Sequence, residues 1–322
     1  MNPLMRLCLG VVLAGGFMTG DARAQSLDPD LPVYEAAAGV DGTIKSIGSD
    51  TMNNLMTGWG DDFRAFYPAV KVEVEGKGSS TAPPALIQNQ ANFGPMSRPM
   101  KGKEIDAFQK QFGYEPTLLS TGIDALAVFV HKDCPLDEIS LDDLEQVFSV
   151  NGPDMTWADL GVSDPAWRNE PISLYGRNSA SGTYGFFKDN ALAGSDFKSS
   201  VKEQAGSGGV IQAVGNERFA MGYSGIGYAT ANVKALRVSL DGIDAFEPTA
   251  ENSLSGDYPL ARFLFVYINK DPRQALDPLR EQFIRLIFSR RGQDTVLKFN
   301  YIPVPADIAR EQLEKLGLEP GF

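Results

Sequence analysis

The sequence predicts an α/β fold of two doubly wound sheets joined by a hinge, and three observations support this prediction. Strand patterns are repeatedly followed by helix patterns, which favours sheets with helices on both faces. Glycine and hydroxyl residues fill the turns between them. Two apolar strands stand far apart in the chain, as expected where a chain crosses twice between two domains. A chain of 322 residues is long enough for two domains.

The N-terminus has the pattern of an export signal. Arg6 provides a positive charge, and residues 7–18 are apolar but too short to span a bilayer. Ala22-Arg-Ala24 then gives the spacing of small residues that precedes a cleavage site. We therefore predict a signal peptide over residues 1–24, cleaved near Ala24-Gln25. We predict that residues 25–41 form a flexible leader.

The folded part opens with two strand–hydroxyl–helix turns. A strand pattern over residues 42–47 leads through Gly-Ser-Asp-Thr at 48–51 into a helix pattern over 52–67. A second strand, 70–74, leads through Gly-Lys-Gly-Ser-Ser-Thr into a helix with proline in its first turn, where proline is favourable. A third strand end follows, carrying Ser97 and Arg98.

The third turn of this kind lies in the middle of the chain. A strand over residues 171–175 precedes Arg177, and a helix over 183–192 follows Ser181, which is suited to be its N-cap. Unpaired N–H groups at a helix start and the positive end of its dipole favour an anion. The Arg177 fork matches two oxygens of a tetrahedral anion, and Gly182 permits close approach. The alternative is an ordinary capped turn, and the repetition favours the anion site.

Two apolar strands, 125–130 and 262–268, define the predicted lobes. If both cross between domains, lobe 1 comprises residues 42–126 and 262–322, and lobe 2 comprises 127–261. Ligands of such sheets bind outside the carboxyl ends of the strands, where all three turns lie. One continuous sheet is the alternative.

These motifs, taken in order, resemble one family. They are Gly-Ser-Asp-Thr at 48–51, Gly-Lys-Gly-Ser-Ser at 76–80, Phe93-Gly94, Gly-Arg-Asn-Ser-Ala-Ser-Gly-Thr at 176–183, and the glycine-rich runs at 206–211 and 221–228. The chain resembles the periplasmic phosphate-binding proteins of bacterial phosphate ABC importers, which have the type II periplasmic-binding-protein fold. The resemblance implies a periplasmic monomer that closes over inorganic phosphate, passes it to a membrane permease, and needs no cofactor.

The resemblance also implies a set of binding residues. The predicted phosphate-binding residues are Thr51, Ser79, Ser97, Arg98, Arg177, Ser181, Gly182 and Thr183, with Ser49, Asp50 and Ser80 as further candidates. Many family members carry an aspartate where this chain has Ser97, and that aspartate accepts the proton of hydrogen phosphate. Arg98 is read either as a second clamp or as a solvated charge. Asp50 is read either as a substitute acceptor or as a helix cap.

Composition excludes several other functions. The net charge of −12 argues against a nucleic-acid partner, which requires a basic face. A single histidine, and Cys134 as the lone cysteine after cleavage, provide neither a metal cluster nor a Ser–His–Asp site. We therefore predict no catalysis and no metal. The remaining alternatives are a receptor for sulfate or arsenate, an exported phosphate-ester hydrolase, and a phosphate sensor.

Overall fold

The structure is a computed structural model that describes residues 27–319, so the predicted signal peptide lies outside the described residues. The strands along this part of the chain are β1 (Thr43–Gly48), β2 (Lys71–Gly76), β3 (Gly94–Met96), β4 (Thr117–His131), β5 (Glu138–Ser140), β6 (Ser173–Arg177), β7 (Lys202–Gln204), β8 (Ala220–Gly225), β9 (Val233–Ala235), β10 (Arg237–Ser239), β11 (Ala245–Phe246) and β12 (Ala261–Ile268). The helices are α1 (Asn53–Phe66), α2 (Ala82–Ile87), α3 (Gly102–Phe112), α4 (Leu141–Phe148), α5 (Gly182–Ala191), α6 (Ser207–Asn216), α7 (Ala250–Ser255), α8 (Pro278–Ile287), α9 (Arg290–Lys298) and α10 (Ala306–Glu314).

Strands β1, β2 and β3 bring their carboxyl ends to one edge of lobe 1. β1 and β2 pair in parallel from Thr43↔Lys71 to Gly48↔Gly76. On its other side β1 bonds to the segment around β3, where the Ser49 N–H donates to the Pro95 carbonyl at 2.7 Å. The turns that follow these three strands are therefore neighbours.

Helix α1 covers the core of lobe 1 with an apolar face. Its buried side chains recur at helical spacing and include Leu55, Met56, Trp59 and Phe63. Phe66, which the spacing predicts on the same face, is 42% exposed. The helix ends at Phe66, whose ring packs edge-on against Tyr34 at 4.9 Å between centroids.

The described part of the predicted leader, residues 27–41, has no helix or strand, yet it packs against lobe 1. Leu31 is buried in the lobe 1 core. The Asp28 carboxylate accepts the Ala306 N–H at 2.9 Å, and the Pro32 carbonyl accepts the Arg290 N–H at 2.8 Å. These contacts hold the segment in place, which the sequence patterns did not predict.

The long strand β4 runs through both lobes. Its residues up to Ala125 pair antiparallel with β12, and from Leu126 onward it pairs with β8. The seven-stranded sheet, in the order β3-β12-β4-β8-β6-β7 with β9 also on β4, is therefore continuous through one shared strand. β4 and β12 run in opposite directions because the chain leaves lobe 1 on one and returns on the other. The expected parallel pairing is found instead for β1–β2, β5–β10, β6–β7 and β6–β8.

The two largest hydrophobic cores lie on either side of this change of partner. One draws its buried residues from 31–119 and 264–318, and the other from 125–260. Each part of the chain buries its own apolar surface, as a domain does. We keep the lobe boundaries at 126/127 and 261/262 as our proposal, which these cores and the strand pairing support.

Candidate anion-binding site

Residues that follow five strand ends contact one another where the lobes meet. Lobe 1 supplies three of these ends, β1, β2 and β3, and lobe 2 supplies β6 and β7. The hydroxyl residues that the five ends contribute are Ser49, Thr51, Ser79, Ser97, Ser181, Thr183 and Ser207. All seven are buried.

Thr51 forms the centre of the first group of hydroxyls. Its Oγ1 lies 2.8 Å from Thr183 Oγ1 and 3.5 Å from Ser207 Oγ, both on lobe 2. Tyr301 holds the backbone of Thr51 by donating its phenol hydroxyl to the Thr51 carbonyl at 2.8 Å. Ser207 begins helix α6, just as Thr183 lies in the first turn of α5. Hydroxyls from opposite lobes are thus in direct contact.

A second group of hydroxyls lies within lobe 1. Ser49 Oγ donates to Ser97 Oγ at 3.1 Å, and Ser79 Oγ lies 3.2 Å from Ser97 Oγ. The Ser97 N–H donates to Ser79 Oγ at 3.0 Å. The structure therefore brings Ser97 together with Ser79 and Ser49, which are also among the predicted residues.

The start of α5 faces this second group. A Cβ added to Gly182 would lie 2.3 Å from Ser79 Oγ and 2.6 Å from Ser97 Oγ, so only glycine permits this approach. Ser181 caps the helix, and its Oγ accepts the N–H groups of Thr183 at 3.1 Å and Tyr184 at 3.3 Å. These two N–H groups, which sequence reasoning treated as free, are thus satisfied by the cap. The Ser181 hydroxyl hydrogen is left available to donate.

Arg177 is the buried cation of the lobe 2 side, only 2% exposed. Its Nη1 donates to Ser207 Oγ at 2.7 Å and lies 3.2 Å from Asp50 Oδ2. Its Nε is buried and has no hydrogen-bond partner among residues 27–319. Burial lowers the pKa of Arg177, an effect that the Asp50 carboxylate opposes. A buried guanidinium with an unused donor is suited to an anion.

Asp50 and Ser80 both join the lobes. Asp50 Oδ2 accepts the Ser207 N–H at 2.7 Å as well as facing Arg177. The predicted role of helix cap does not hold, since no side-chain cap bond forms at the turn that Asp50 begins or at α1. Ser80 donates its hydroxyl to the Ala180 carbonyl at 3.0 Å, and its N–H reaches the same oxygen at 3.2 Å. Both residues therefore connect the two lobes, Asp50 through its carboxylate and Ser80 by donating to a backbone carbonyl.

The side chain of Arg98 is paired with Glu104 and not with the hydroxyl residues of the site. Its guanidinium forms a two-pronged ion pair with Glu104, with both N···O distances 2.8 Å. Burial alone would raise the pKa of Glu104, but the bonds from Arg98 and from the Lys101 N–H hold that pKa below its usual value. Neither sequence reading of Arg98, second clamp or solvated charge, describes this pair, so we leave Arg98 out of the proposed site.

Arg262, which sequence reasoning missed, is a second buried arginine beside the hydroxyl residues. It is 7% exposed, and its Nη2 donates to Thr183 Oγ1 at 2.9 Å. Nε and Nη2 also donate to Asp124 Oδ2, at 3.2 and 2.9 Å. Asp124 and Arg262 are register partners on β4 and β12. No local motif announces this pair, because it depends on how two distant strands align.

Ser207 was also missed as a site residue, although its sequence carried a signal. It stands in Gly-Ser-Gly-Gly at 206–209, after strand β7 and at the start of a helix. That is the same strand–hydroxyl–helix arrangement that singled out Thr51, Ser79 and Ser181. A Cβ on Gly206 would lie 2.7 Å from Asp50 Oδ1, so this glycine permits the contact between the lobes.

Within residues 27–319, the metal-binding and catalytic residue types considered from the sequence do not cluster with these hydroxyls. The structure over residues 27–319 holds no group of three or more His, Cys, Asp or Glu side chains arranged for a metal ion. His131 lies at the far end of β4, where its Nδ1 accepts the Asp133 N–H at 3.2 Å. Cys134 is buried and unpaired, and burial raises the pKa of its thiol to about 11. The described helices include none with the length and apolar character needed to cross a membrane.

Two lobes linked by crossing strands, with a buried cation and hydroxyls from both lobes between them, define a hinged anion-binding receptor. Residues 34–291 match the model of the PBP superfamily domain. The phosphate-binding protein PstS of Pseudomonas aeruginosa is 44% identical over 322 residues, covering 98% of this chain and 99% of the relative. PstS of Staphylococcus haemolyticus is 25% identical over 85% of each chain. An ABC-type phosphate transport receptor from Vibrio cholerae superposes with a TM-score of 0.63 at 20% identity, over 81% of this chain and 100% of the other.

The chain therefore belongs to the PBP superfamily and, within it, to the family of the phosphate-binding protein PstS. This result confirms the resemblance read from the sequence motifs. The structural likeness to the Vibrio cholerae receptor confirms the fold class.

Proposed function

We propose that this protein captures inorganic phosphate between its lobes and delivers it to the membrane permease of a phosphate ABC importer. The observation that carries the proposal is the buried guanidinium of Arg177 beside hydroxyl groups from both lobes. A compact anion is the ligand that such a set suits, because every group can donate a hydrogen bond to it. The relatives named phosphate-binding proteins support phosphate as that anion.

The proposed binding residues come from both lobes. They are Thr51, Ser79, Ser97, Arg177, Ser181, Gly182 and Thr183, to which we add Ser207. A hydrogen bond to a charged partner contributes about 1.5–3 kcal/mol. Six or more such bonds around a phosphate support a Kd of about 1 µM or lower after the entropic cost of binding.

Binding requires the lobes to part. The Thr51 and Thr183 hydroxyls lie 2.8 Å apart, in contact with each other. Hydrogen bonds of about 2.7 Å leave no room for a tetrahedral ion between the two hydroxyls, so an anion that accepts from both has to displace their direct contact. The crossing strands β4 and β12 are the connections that can act as a hinge. Closure then replaces the water around the anion with fixed donors.

We further propose that the protein binds phosphate without altering it. The gathered groups are hydroxyls and guanidiniums, and the histidine that a serine hydrolase needs lies elsewhere on β4. We propose that it works as a monomer in the periplasm, after removal of residues 1–24, and that it needs no cofactor and binds no nucleic acid.

A second candidate function is a receptor for another tetrahedral oxyanion, sulfate or arsenate. The observation that favours it is Ser97, whose buried hydroxyl stands where many family members carry an aspartate. A hydroxyl can accept the proton of hydrogen phosphate, but unlike a carboxylate it does not repel an anion that has no proton. Sulfate is therefore admitted more readily here than beside an aspartate.

Thermal unfolding with added anions tests the proposal. Phosphate should raise the melting temperature in a concentration-dependent way, because it binds only the folded state. Chloride at equal ionic strength is the control, and Arg177→Gln should need at least about tenfold more phosphate for the same response. Equal responses to phosphate and chloride would refute the function. Turnover of a chromogenic phosphate ester that Arg177→Gln abolishes would instead favour the hydrolase.

A further inference from the structure

Arg262 contacts one residue in each of the two groups of hydroxyl residues, the group around Thr51 and the group of Ser49, Ser79 and Ser97. Nη2 donates to Thr183 Oγ1 at 2.9 Å, and that oxygen lies 2.8 Å from Thr51 Oγ1. Nη1 donates to the Ser97 carbonyl at 3.0 Å. The guanidinium therefore lies against one residue of each of these two groups.

We propose that Arg262 is a second anion-binding arginine, and that together with Arg177 it makes the site selective for doubly charged tetrahedral anions. The inference rests on the proposed function, because it specifies which ionic form of phosphate the same site takes. When the lobes part, Thr183 turns its hydroxyl to the anion, and the Nη2 donor that it occupied becomes free for an anion oxygen.

Asp124 positions Arg262 for this role. Nε and Nη2 both donate to Asp124 Oδ2, which fixes one edge of the guanidinium. The other carboxylate oxygen, Oδ1, accepts the Ile226 N–H at 3.1 Å. The guanidinium carbon lies 5.0 Å from the centre of the Phe186 ring, which supports one face. Held in this way, the arginine loses little conformational entropy when it binds an anion.

The carboxylates of the site are occupied by cations and backbone N–H groups. Asp124 is used by Arg262 and Ile226, and Asp50 by Arg177 and Ser207. The groups left to face an anion are thus mainly donors. A doubly charged anion offers acceptors to all of them, whereas the extra proton of a singly charged phosphate needs an acceptor, for which only neutral hydroxyls remain. The doubly charged form therefore binds more tightly.

Several titratable groups surround the site near Arg262. Asp124 is its partner on β4, Asp50 follows β1, Arg177 ends β6, and the tyrosines Tyr228 and Tyr301 lie beside them. Burial raises the pKa of both phenols above their usual value, so they stay neutral. Any dependence of affinity on pH between about 6 and about 8 then reports the second ionisation of phosphate itself.

The test is a calorimetric titration with inorganic phosphate and with sulfate at about pH 6 and about pH 8. Wild-type affinity for phosphate should rise about tenfold across this range, while affinity for sulfate, which stays doubly charged, should not change. Arg262→Gln should weaken phosphate binding at about pH 8 by at least tenfold and reduce the pH effect to less than about threefold. Arg262→Lys, which keeps the charge, should bind more weakly than wild type but keep the pH effect.

A purely structural role of the Arg262–Asp124 pair predicts something else. Loss of the pair would then weaken both ionic forms of phosphate equally, and the pH effect would survive in Arg262→Gln. That result, or wild-type affinity in Arg262→Gln, or no pH effect in the wild type, overturns the inference. A wild-type protein that binds no phosphate at either pH refutes the proposed function instead.

Two further variants guard against misfolding. Arg262→Gln leaves Asp124 buried without its counter-charge, so the double variant Arg262→Gln/Asp124→Asn removes both charges and should show the same loss of affinity and of pH effect. Arg291→Gln is the matched control. Its guanidinium bonds Asp62 at 2.9 Å in lobe 1, away from the site, so this variant should keep the affinity and pH effect of the wild type.

Discussion

The side-chain oxygens of Thr51 and Thr183 lie 2.8 Å apart, although the residues belong to opposite lobes and are separated by 132 positions in the sequence. The contact joins the two lobes directly. Under the proposed function it marks where phosphate enters, because both hydroxyls can donate to a shared anion instead of bonding to each other. Predictions about binding can therefore be made from the groups around this contact.

Gly182→Ala should prevent full closure. The added methyl would lie 2.3 Å from Ser79 Oγ and 2.6 Å from Ser97 Oγ, well inside van der Waals contact. Because closure brings these donors onto the anion, phosphate affinity should fall at least tenfold, which calorimetry measures. The melting temperature without phosphate should change little, since an open form avoids the clash.

The neighbouring glycine of the same helix provides the control for this variant. A Cβ on Gly185 would lie 3.6 Å from the Arg98 side chain, an ordinary contact. Gly185→Ala should keep phosphate affinity and stabilise the helix by up to about 1 kcal/mol. Equal losses of affinity in both alanine variants would contradict the assigned role of Gly182.

Arg177→Ala should weaken phosphate binding at least tenfold. The substitution leaves a buried doubly charged anion without its main counter-charge, and it leaves Asp50 facing the same space. Arg98→Ala should cost clearly less affinity, because Arg98 is paired with Glu104 and is not aimed at the hydroxyl groups. A larger loss for Arg98→Ala than for Arg177→Ala would restore the sequence-based reading of Arg98 as the clamp.

Ser97→Asp should shift selectivity from sulfate towards phosphate. A carboxylate here would accept the bond that Ser49 now donates to Ser97, and it would accept the proton of hydrogen phosphate. It would also repel sulfate, which has no proton to share. Competition titrations measure the ratio of the two affinities, and Ser97→Asn is a control of similar size without charge. If the affinities for both anions fall equally, the side chain at position 97 does not distinguish phosphate from sulfate by the proton of phosphate.

The Arg98–Glu104 pair should contribute stability that depends on pH. The pKa of Glu104 lies below its usual 4.5, so the pair stabilises the fold above that pH. The contribution is lost as the pH falls through the lower value of the folded state. The unfolding free energies of wild type and Glu104→Gln should therefore differ by a constant amount near neutral pH and converge in acid. A difference in unfolding free energy that grows in acid would contradict a stabilising contribution from the Arg98–Glu104 pair.

Local patterns predicted several of the elements and several residues of the proposed site. Helix α2 has proline in its first turn, as the sequence predicts, and α5 begins within one residue of the predicted start. Thr51, Ser97 and Thr183, which belong to the proposed site, could be singled out because hydroxyls that follow strand ends are visible in a short window of sequence. The carboxyl ends of neighbouring strands then bring such residues together.

Apart from Ser207, whose local motif carried a signal, the residues that sequence reasoning misplaced depend on long-range structure. Arg262 faces Asp124 because of the register between β12 and β4, and a shift of one residue would turn its side chain to the other face of the sheet. Arg98 was assigned to the site because it follows Ser97. Its guanidinium instead forms an ion pair with Glu104, at the start of α3. Leu31 looked like part of a loose leader, yet it fills a gap in a core formed by residues far along the chain. Neither composition nor periodicity can predict these contacts.

Calorimetric titration of the dialysed protein with inorganic phosphate tests the central claim most directly. If Thr51, Thr183 and Arg177 surround a tetrahedral anion, the titration should show one site per chain with a Kd of about 1 µM or lower. The same titration of Arg177→Ala should show at least tenfold weaker binding. An absence of phosphate binding by the wild-type protein, or an affinity that Arg177→Ala leaves unchanged, would contradict the account.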